Sequence, residues 1–272
     1  MDGGAVDGKV LVKTKVFAEI CIMNVIWLDS IDSTNSEALR RLPELENGTV
    51  LAAREQTAGR GQRGNTWFTE PGKNLTFSIV LKYGEGGLEP LQATESIWLN
   101  YLISVAVAEF LQSHAIWSKV KWPNDVYVGK KKICGVLIEN AMSGSGLAAS
   151  VIGVGVNINQ QEFPQLANAT SLWSLTGKEH PLEECLEKLL AGLENWLPYL
   201  YSPGGRETLF SHYSRRLFNL DVNARYRDMA SGREYIGIIR GVDPEGRLMI
   251  QDLESAGKPV LHYRFKEVGY II

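Results

Sequence analysis

The sequence predicts a mixed α/β (α+β) fold that ends in a small antiparallel β-barrel. Three observations predict it. Strand-length apolar runs ("GTVLAAREQ", "NLTFSIVLKY", "ASVIGVGVNIN") are interspersed with helical segments up to about residue 218. Residues 95 to 115 are apolar nearly all round, which predicts a helix buried in the core. From about Asn219 the chain turns to short strands such as "REYIGIIRGVD" and "RLMIQD". Turn signals at Asp243-Pro244-Glu245-Gly246 and Ser255-Ala256-Gly257 punctuate them, as in a small barrel.

In chain order, "NVIWLDSIDSTNSEALRRLP" reads as strand, loop and helix. Thr34 and Glu37 make a T-x-x-E capping box, Ala38, Leu39 and Leu42 an apolar face, and Pro43 a stop. "GTVLAAREQ" is a buried strand, and "NLTFSIVLKY", entered by the Pro71-Gly72 turn, is another. "SKVKWPNDVYVGKKKICGVLIENA" predicts two strands joined by a tight Gly-Lys turn, and "ASVIGVGVNIN" a strand buried on both faces. Leu182, Leu186, Leu189, Leu190, Leu193, Leu197 and Leu200 recur at helical spacing, which predicts one amphipathic helix over Pro181 to Leu200. "YSPGGRE" breaks the chain before a short helix in "TLFSHYSRRL".

Bulk properties exclude several classes. A chain of 272 residues, 44% hydrophobic and 22% charged, suits one large domain plus a small one. The formal net charge of −3 supplies no overall field toward nucleic acid or acidic lipid. Cys21, Cys134 and Cys185 lie far apart with no C-x-x-C pair, against a zinc site or disulfide framework. "ESIWLNYLISVAVAEFLQ" is long but carries Asn100, Ser104 and Glu109, so no membrane span is expected and the protein is expected to be cytoplasmic. Lys9, Lys13 and Lys15 precede an apolar run, but Glu19 and Asn24 interrupt it and no small-residue cleavage site follows; residues 1–22 read as a leader rather than a signal peptide.

The loop "QTAGRGQRGNTW" contains G-x-G-x-x-G. A dinucleotide fingerprint needs a helix to start there, whereas Asn65, Thr66, Trp67 and Phe68 lead into a Pro-Gly turn and a strand. What remains is a loop whose glycines at 59, 61 and 64 permit positive φ and close backbone approach. Arg60 and Arg63 add planar cationic forks suited to carboxylate or phosphate. In "KWPND", Lys121, Asn124 and Asp125 cluster at a strand end, followed by Lys132. Gly153 and Gly155 in "GVGVN" leave one face of a strand bare, where a flat ligand can lie, or serve packing.

Taken in order, "DSTN" (32–35), "EQTAGRGQRGNTW" (55–67), "KWPND" (121–125), "KKICGVLIE" (131–139) and "IGVGVNIN" (152–159) resemble the biotin protein ligases. Each motif alone is weak; five in sequence are specific. The resemblance implies a class II synthetase-like, biotin/lipoate ligase catalytic core over residues 23–218 and an SH3-like C-terminal domain over 219–272. It implies a two-step reaction: biotin and ATP, with Mg2+, give biotinoyl-5′-AMP, which acylates a lysine of a biotin carboxyl carrier protein or domain of a biotin-dependent carboxylase. One substrate attacks the other, so no Ser-His-Asp or Cys-His constellation is required, and none is evident. No metal held by protein side chains alone is expected, and the protein is expected to be a monomer or homodimer.

Carried over by motif, Ser33, Thr34 and Gln56, with Asn35 beside them, meet the biotin head group. In the loop Gly59, Gly61 and Gln62 accompany Arg60, which with Gly61 sits over biotin and the adenylate phosphate. Lys132 meets the biotin carboxylate and the developing phosphoanhydride charge, and Lys121 the triphosphate. Trp67 lies near the adenine, with Asn124 and Asn157 on the nucleotide side and Gly135, Gly153 and Gly155 as further ligand contacts. Asp125 orients the acceptor lysine or takes its proton. The family pattern reads G-R-G-R-R-G where this chain has Gln62, one charge fewer to retain the adenylate. Thr34 is claimed twice, by the capping box and by the ligand.

Two other readings are weaker. A winged helix-turn-helix repressor is disfavoured by the roughly 25 residues that precede the catalytic region and by the acidic charge, so no nucleic-acid partner is expected. A lipoate ligase shares fold and adenylate chemistry; the G-R-G-x-R-G loop with K-W-P-N-D favours biotin.

Overall fold

The computed structural model describes residues 23–144, 146–164 and 166–271. The leader expected over residues 1–22 lies outside the described residues. The chain runs β1 (Asn24–Ile31), α1 (Thr34–Arg40), β2 (Thr49–Gln56), β3 (Leu75–Lys82), α2 (Ile97–Ser113), β4 (Lys119–Lys121), β5 (Asp125–Val128), β6 (Lys131–Ser143) and β7 (Gly146–Val156). It continues through α3 (Leu172–Thr176), α4 (Leu182–Trp196), α5 (Gly205–Ser214), β8 (Asn223–Asp228), β9 (Glu234–Val242), β10 (Leu248–Asp252), β11 (Val260–Tyr263) and β12 (Val268–Ile271).

A seven-stranded mixed sheet has the order β1-β2-β3-β7-β6-β5-β4, with β1 and β2 parallel and the other neighbours antiparallel. Strand periodicity sends alternate residues to opposite faces. Val50, Ala52, Ile79, Ile152 and Val154 join the large core built on α2, α4 and α5, while Leu51, Val80 and Val151 join a small cluster under α1 with Ala38 and Leu45. α2 needs no polar stripe in its middle, because residues from Tyr101 through Ala108 are all buried. No helix among the described residues is long and apolar enough to cross a membrane.

The structure revises three expectations. "SKVKWPNDVYVG" is not one strand but two: it folds back at a cis Trp122-Pro123 bond, pairing Lys121 with Asp125 in a tight hairpin. The leucine-rich helix ends at Trp196, and Leu197–Leu200 tighten into a 3-10 turn where Pro198 cannot continue the helical ladder. The Thr34–Glu37 capping box does not form. Ser33 is the N-cap, its Oγ facing Ser36 N at 3.5 Å, and Glu37 pairs with Arg40 instead. Thr34 is therefore released from capping, which removes its double assignment.

The C-terminal strands form a separate antiparallel sheet, β11-β10-β9-β8-β12, as the short strands and turn signals predict. Its β9–β10 turn docks on the larger α/β unit: Gly246 O accepts a hydrogen bond from Trp122 Nε1, and a Cβ at Gly246 (φ +79°) would crowd Ile97. Asp243 holds that turn, accepting from the Glu245 and Arg247 amides, Arg247 Nε and His262 Nδ1. Burial acts to raise its carboxyl pKa, but the bonds from His262 and Arg247 outweigh burial and hold it down at about 2. A depressed carboxyl contributes stability that is present above about pH 4 and lost as pH falls toward 2. Asp243→Asn is therefore expected to lower the thermal unfolding midpoint by a few degrees at pH 6, with the gap between wild type and variant closing below about pH 3. A gap independent of pH would refute the assignment.

Candidate active site

One face of the sheet is thinned by small residues. Thr76 of β3 faces Gly155 of β7 in register, Gly155 faces Gly135 of β6, and Ser78 faces Gly153. α1 begins only at Thr34, so it roofs part of this face and leaves the rest open. The result is a cavity of about 430 Å³, large enough for a mid-sized organic ligand.

The closed end of the cavity is polar. Ser33, Thr34 and Asn35 are buried (2–3% exposed) at the start of α1. Thr34 N and Oγ1 both donate to Gln56 Oε1, at 2.8 and 3.1 Å. Asn35 crosses the sheet: its Nδ2 donates to Glu139 Oε2 (2.9 Å) and Leu137 O, and its Oδ1 accepts from Ser78 Oγ at 2.6 Å.

The glycine-arginine loop folds over this end as a self-bonded hairpin. Gly61 N donates to Asn65 O (2.7 Å), and Trp67 N to Gly59 O (2.9 Å). Of the three glycines only Gly64, at φ +81°, uses left-handed backbone. Gly59 is required for closeness instead, since a Cβ there would sit 2.3 Å from Trp67 O. Arg60 grips Glu139 with both terminal guanidinium nitrogens, at 2.7 and 3.1 Å, and donates to Ser36 Oγ. Gln62 Nε2 donates to Val136 O at 3.3 Å.

The far end is cationic. Lys132 Nζ lies 2.7 Å from Asp125 Oδ1 and 5.7 Å from the centre of the Trp67 ring. Lys121 is held between two aromatic faces, Tyr127 at 5.3 Å and Tyr270 at 4.9 Å. Its pKa is lowered, chiefly by desolvation, then by the Lys132 charge against the pull of Asp125. Asn124 is buried, and its Nδ2 is spent on Asn100 Oδ1 and Val136 O.

All but two of the residues carried over by motif line this one cavity, Arg60, Lys121, Asp125 and Lys132 among them. The exceptions are Gly59, which closes the hairpin, and Asn157. Asn157 is 3% exposed and its Nδ2 donates to Thr170 O, so it braces the loop after β7 rather than facing the cavity. Of the two readings of Gly153 and Gly155, room for a flat ligand or packing, their surroundings favour packing. A Cβ at Gly153 would fall 2.2 Å from Asn35 Oδ1, and one at Gly155 2.3 Å from Trp67 Cε2. Both glycines make room for protein side chains, and those side chains form the floor.

Sequence reasoning missed the wall contributed by the C-terminal sheet, namely Phe265, Lys266, Val268, Gly269 and Tyr270, and also Asn65, Thr66 and Thr76. Lys266 there adopts φ +69°, a conformation that non-glycine residues rarely take and that clusters at functional sites, but no sequence signal announces it.

Comparisons with known proteins agree with this geometry. The model of the biotin/lipoate A/B protein ligase family matches residues 27–157. The chain is 31% identical to a biotin–[acetyl-CoA-carboxylase] ligase of Paracoccus denitrificans, covering 85% of this chain and 94% of that protein. It is 30% identical to the bifunctional ligase/repressor BirA of Salmonella typhimurium, over 87% of this chain and 72% of that protein. The structure of a biotin protein ligase from Aquifex aeolicus in complex with biotin and ATP superposes with a TM-score of 0.71. It is 28% identical and covers 91% of this chain and 98% of its own.

Proposed function

The chain belongs to the biotin protein ligase family, and from that premise we propose that it attaches biotin to a lysine of a biotin carboxyl carrier domain, using ATP. A carboxylate oxygen of biotin attacks the α-phosphorus of ATP, and pyrophosphate leaves. The acceptor lysine's amine then attacks the acyl carbon; AMP departs with the bonding electrons and the amine gives up a proton.

The observation that carries this reading is that Arg60 and Lys132 line a single cavity, one on a loop and one on a strand. Ser33, Thr34 and Gln56 offer the mixed donors and acceptors that a neutral ureido ring needs. Lys132 stabilises the charge that develops on the acyl phosphate, and Arg60 covers it from the loop. Trp67 offers a flat face for the adenine, and Lys121 faces the triphosphate. Asp125, paired with Lys132, is positioned to orient the acceptor amine when the ligand takes over Lys132. Mg2+ enters with the nucleotide. Among the described residues no group of three or more His, Cys, Asp or Glu could hold a metal, and phosphates with water and one or two carboxylates suffice for this ion.

Incubation with ATP, labelled biotin or lipoate, and an apo-carrier domain tests the proposal. Biotin label on the carrier with release of AMP and pyrophosphate is expected; lipoate label instead, or no ATP consumption, contradicts it. The same assay addresses Gln62. Gln62→Arg adds a cation at the cavity wall and is expected to release adenylate a few-fold more slowly than the natural chain. Equal or faster release from the variant rejects a retention role for this position.

A further inference from the structure

Glu139 has no part in the roles assigned above, yet it holds both the loop's Arg60 and Asn35 at the closed end of the cavity. Both carboxylate oxygens hold Arg60, Oε1 at 2.7 Å and Oε2 at 3.1 Å, and Oε2 also accepts from Asn35 Nδ2 at 2.9 Å. From Asn35 a chain of short contacts runs on to Gln56. Asn35 Oδ1 lies 2.6 Å from Ser78 Oγ, Ser78 Oγ 2.8 Å from Thr34 Oγ1, and Thr34 Oγ1 3.1 Å from Gln56 Oε1. Asn35 and Ser78 are 3% and 0% exposed, so bulk water does not reach them.

Donor arithmetic makes this chain responsive. Asn35 Oδ1 and Gln56 Oε1 only accept, so three oxygen–oxygen contacts share two hydroxyl protons. When Ser78 serves Asn35 and Thr34 serves Gln56, the Ser78–Thr34 contact holds no proton. A ligand group that bonds Thr34 or Gln56 changes where the Thr34 proton goes, and with it the support of the Asn35 amide that braces Glu139.

We propose that Glu139 is a positioning residue: it latches Arg60 over the cavity and, through Asn35 and Ser78, ties that latch to occupancy of the Thr34–Gln56 end. The inference rests on the ligase reading only for the identity of the ligand, biotin. Glu139→Gln keeps an acceptor for Asn35 but loses the charge that grips Arg60.

Amide hydrogen exchange on the full chain tests it. Without ligand, Glu139→Gln is expected to speed exchange over residues 57–66 by roughly ten-fold, leaving β6 and β7 protected and with partial recovery in Glu139→Asp. Wild-type exchange in the Glu139→Gln loop overturns the latch. With biotin, loop exchange is expected to slow in the wild type and to slow less in Ser78→Ala, which still binds biotin by calorimetry. Equal protection in both proteins, or none in the wild type, overturns the coupling. If biotin does not bind the wild type at all, the ligase reading fails, and the ligand-free comparison still decides the latch.

Discussion

Lys132→Ala is expected to reduce biotinoyl-adenylate formation by roughly 10²–10³-fold, the typical cost of removing one preorganised donor from a site of developing charge. The side chain is well placed for this. β6 fixes its backbone, with Lys132 N donating to Asn168 O at 2.7 Å, and its Nζ is steered by Asp125 at 2.7 Å and the Trp67 ring. Both members of the Lys132–Asp125 pair are about one-third exposed, so its loss costs the fold little. The variant should unfold within a few degrees of wild type and bind biotin, while pyrophosphate release collapses. Turnover near wild type would show that Lys132 is a solvated edge lysine.

Gly155→Ala is the second large effect, and it acts through another residue. The new methyl group would stand 2.3 Å from Trp67 Cε2 and 2.6 Å from Cζ2 and Nε1, far inside contact distance. The indole must leave the sheet. If it is the platform for the adenine, the KM for ATP rises by roughly ten- to a hundred-fold, the worth of one base–aromatic stack. Biotin affinity should stay close to wild type, because Thr34 and Gln56 lie at the other end. A variant that loses both affinities equally, or neither, would dissociate Trp67 from the nucleotide.

The fold was largely legible, because strand-length apolar runs and the all-apolar segment around Ser104 carry their own period. The hairpin at Trp122-Pro123 was not, since "KVKWPNDVYV" keeps strand composition through a reversal of direction. The start of α1 was displaced by one residue: Ser33 and Thr34 are both good caps, and what decides between them is the tertiary demand of Gln56 and Ser78 for the Thr34 hydroxyl. In the site, the motif residues converge as their order suggests, apart from Gly59 and Asn157. The contribution of Phe265 to Tyr270 was invisible because it depends on how the C-terminal sheet docks through Gly246 and Trp122, a contact between residues more than a hundred positions apart. For Gly153 and Gly155 the choice between ligand room and packing stayed open, because sequence shows a missing side chain but not what fills the space.

The central claim is that loop-borne Arg60 and strand-borne Lys132 act on one acyl phosphate. A crystal structure with a non-hydrolysable biotinoyl-adenylate analogue tests it most directly. The account predicts the ureido ring among Ser33, Thr34 and Gln56, with phosphate oxygens within hydrogen-bond distance of both Lys132 Nζ and the Arg60 guanidinium. A ligand bound with its phosphate away from Lys132, or with Arg60 turned out to solvent, would contradict it.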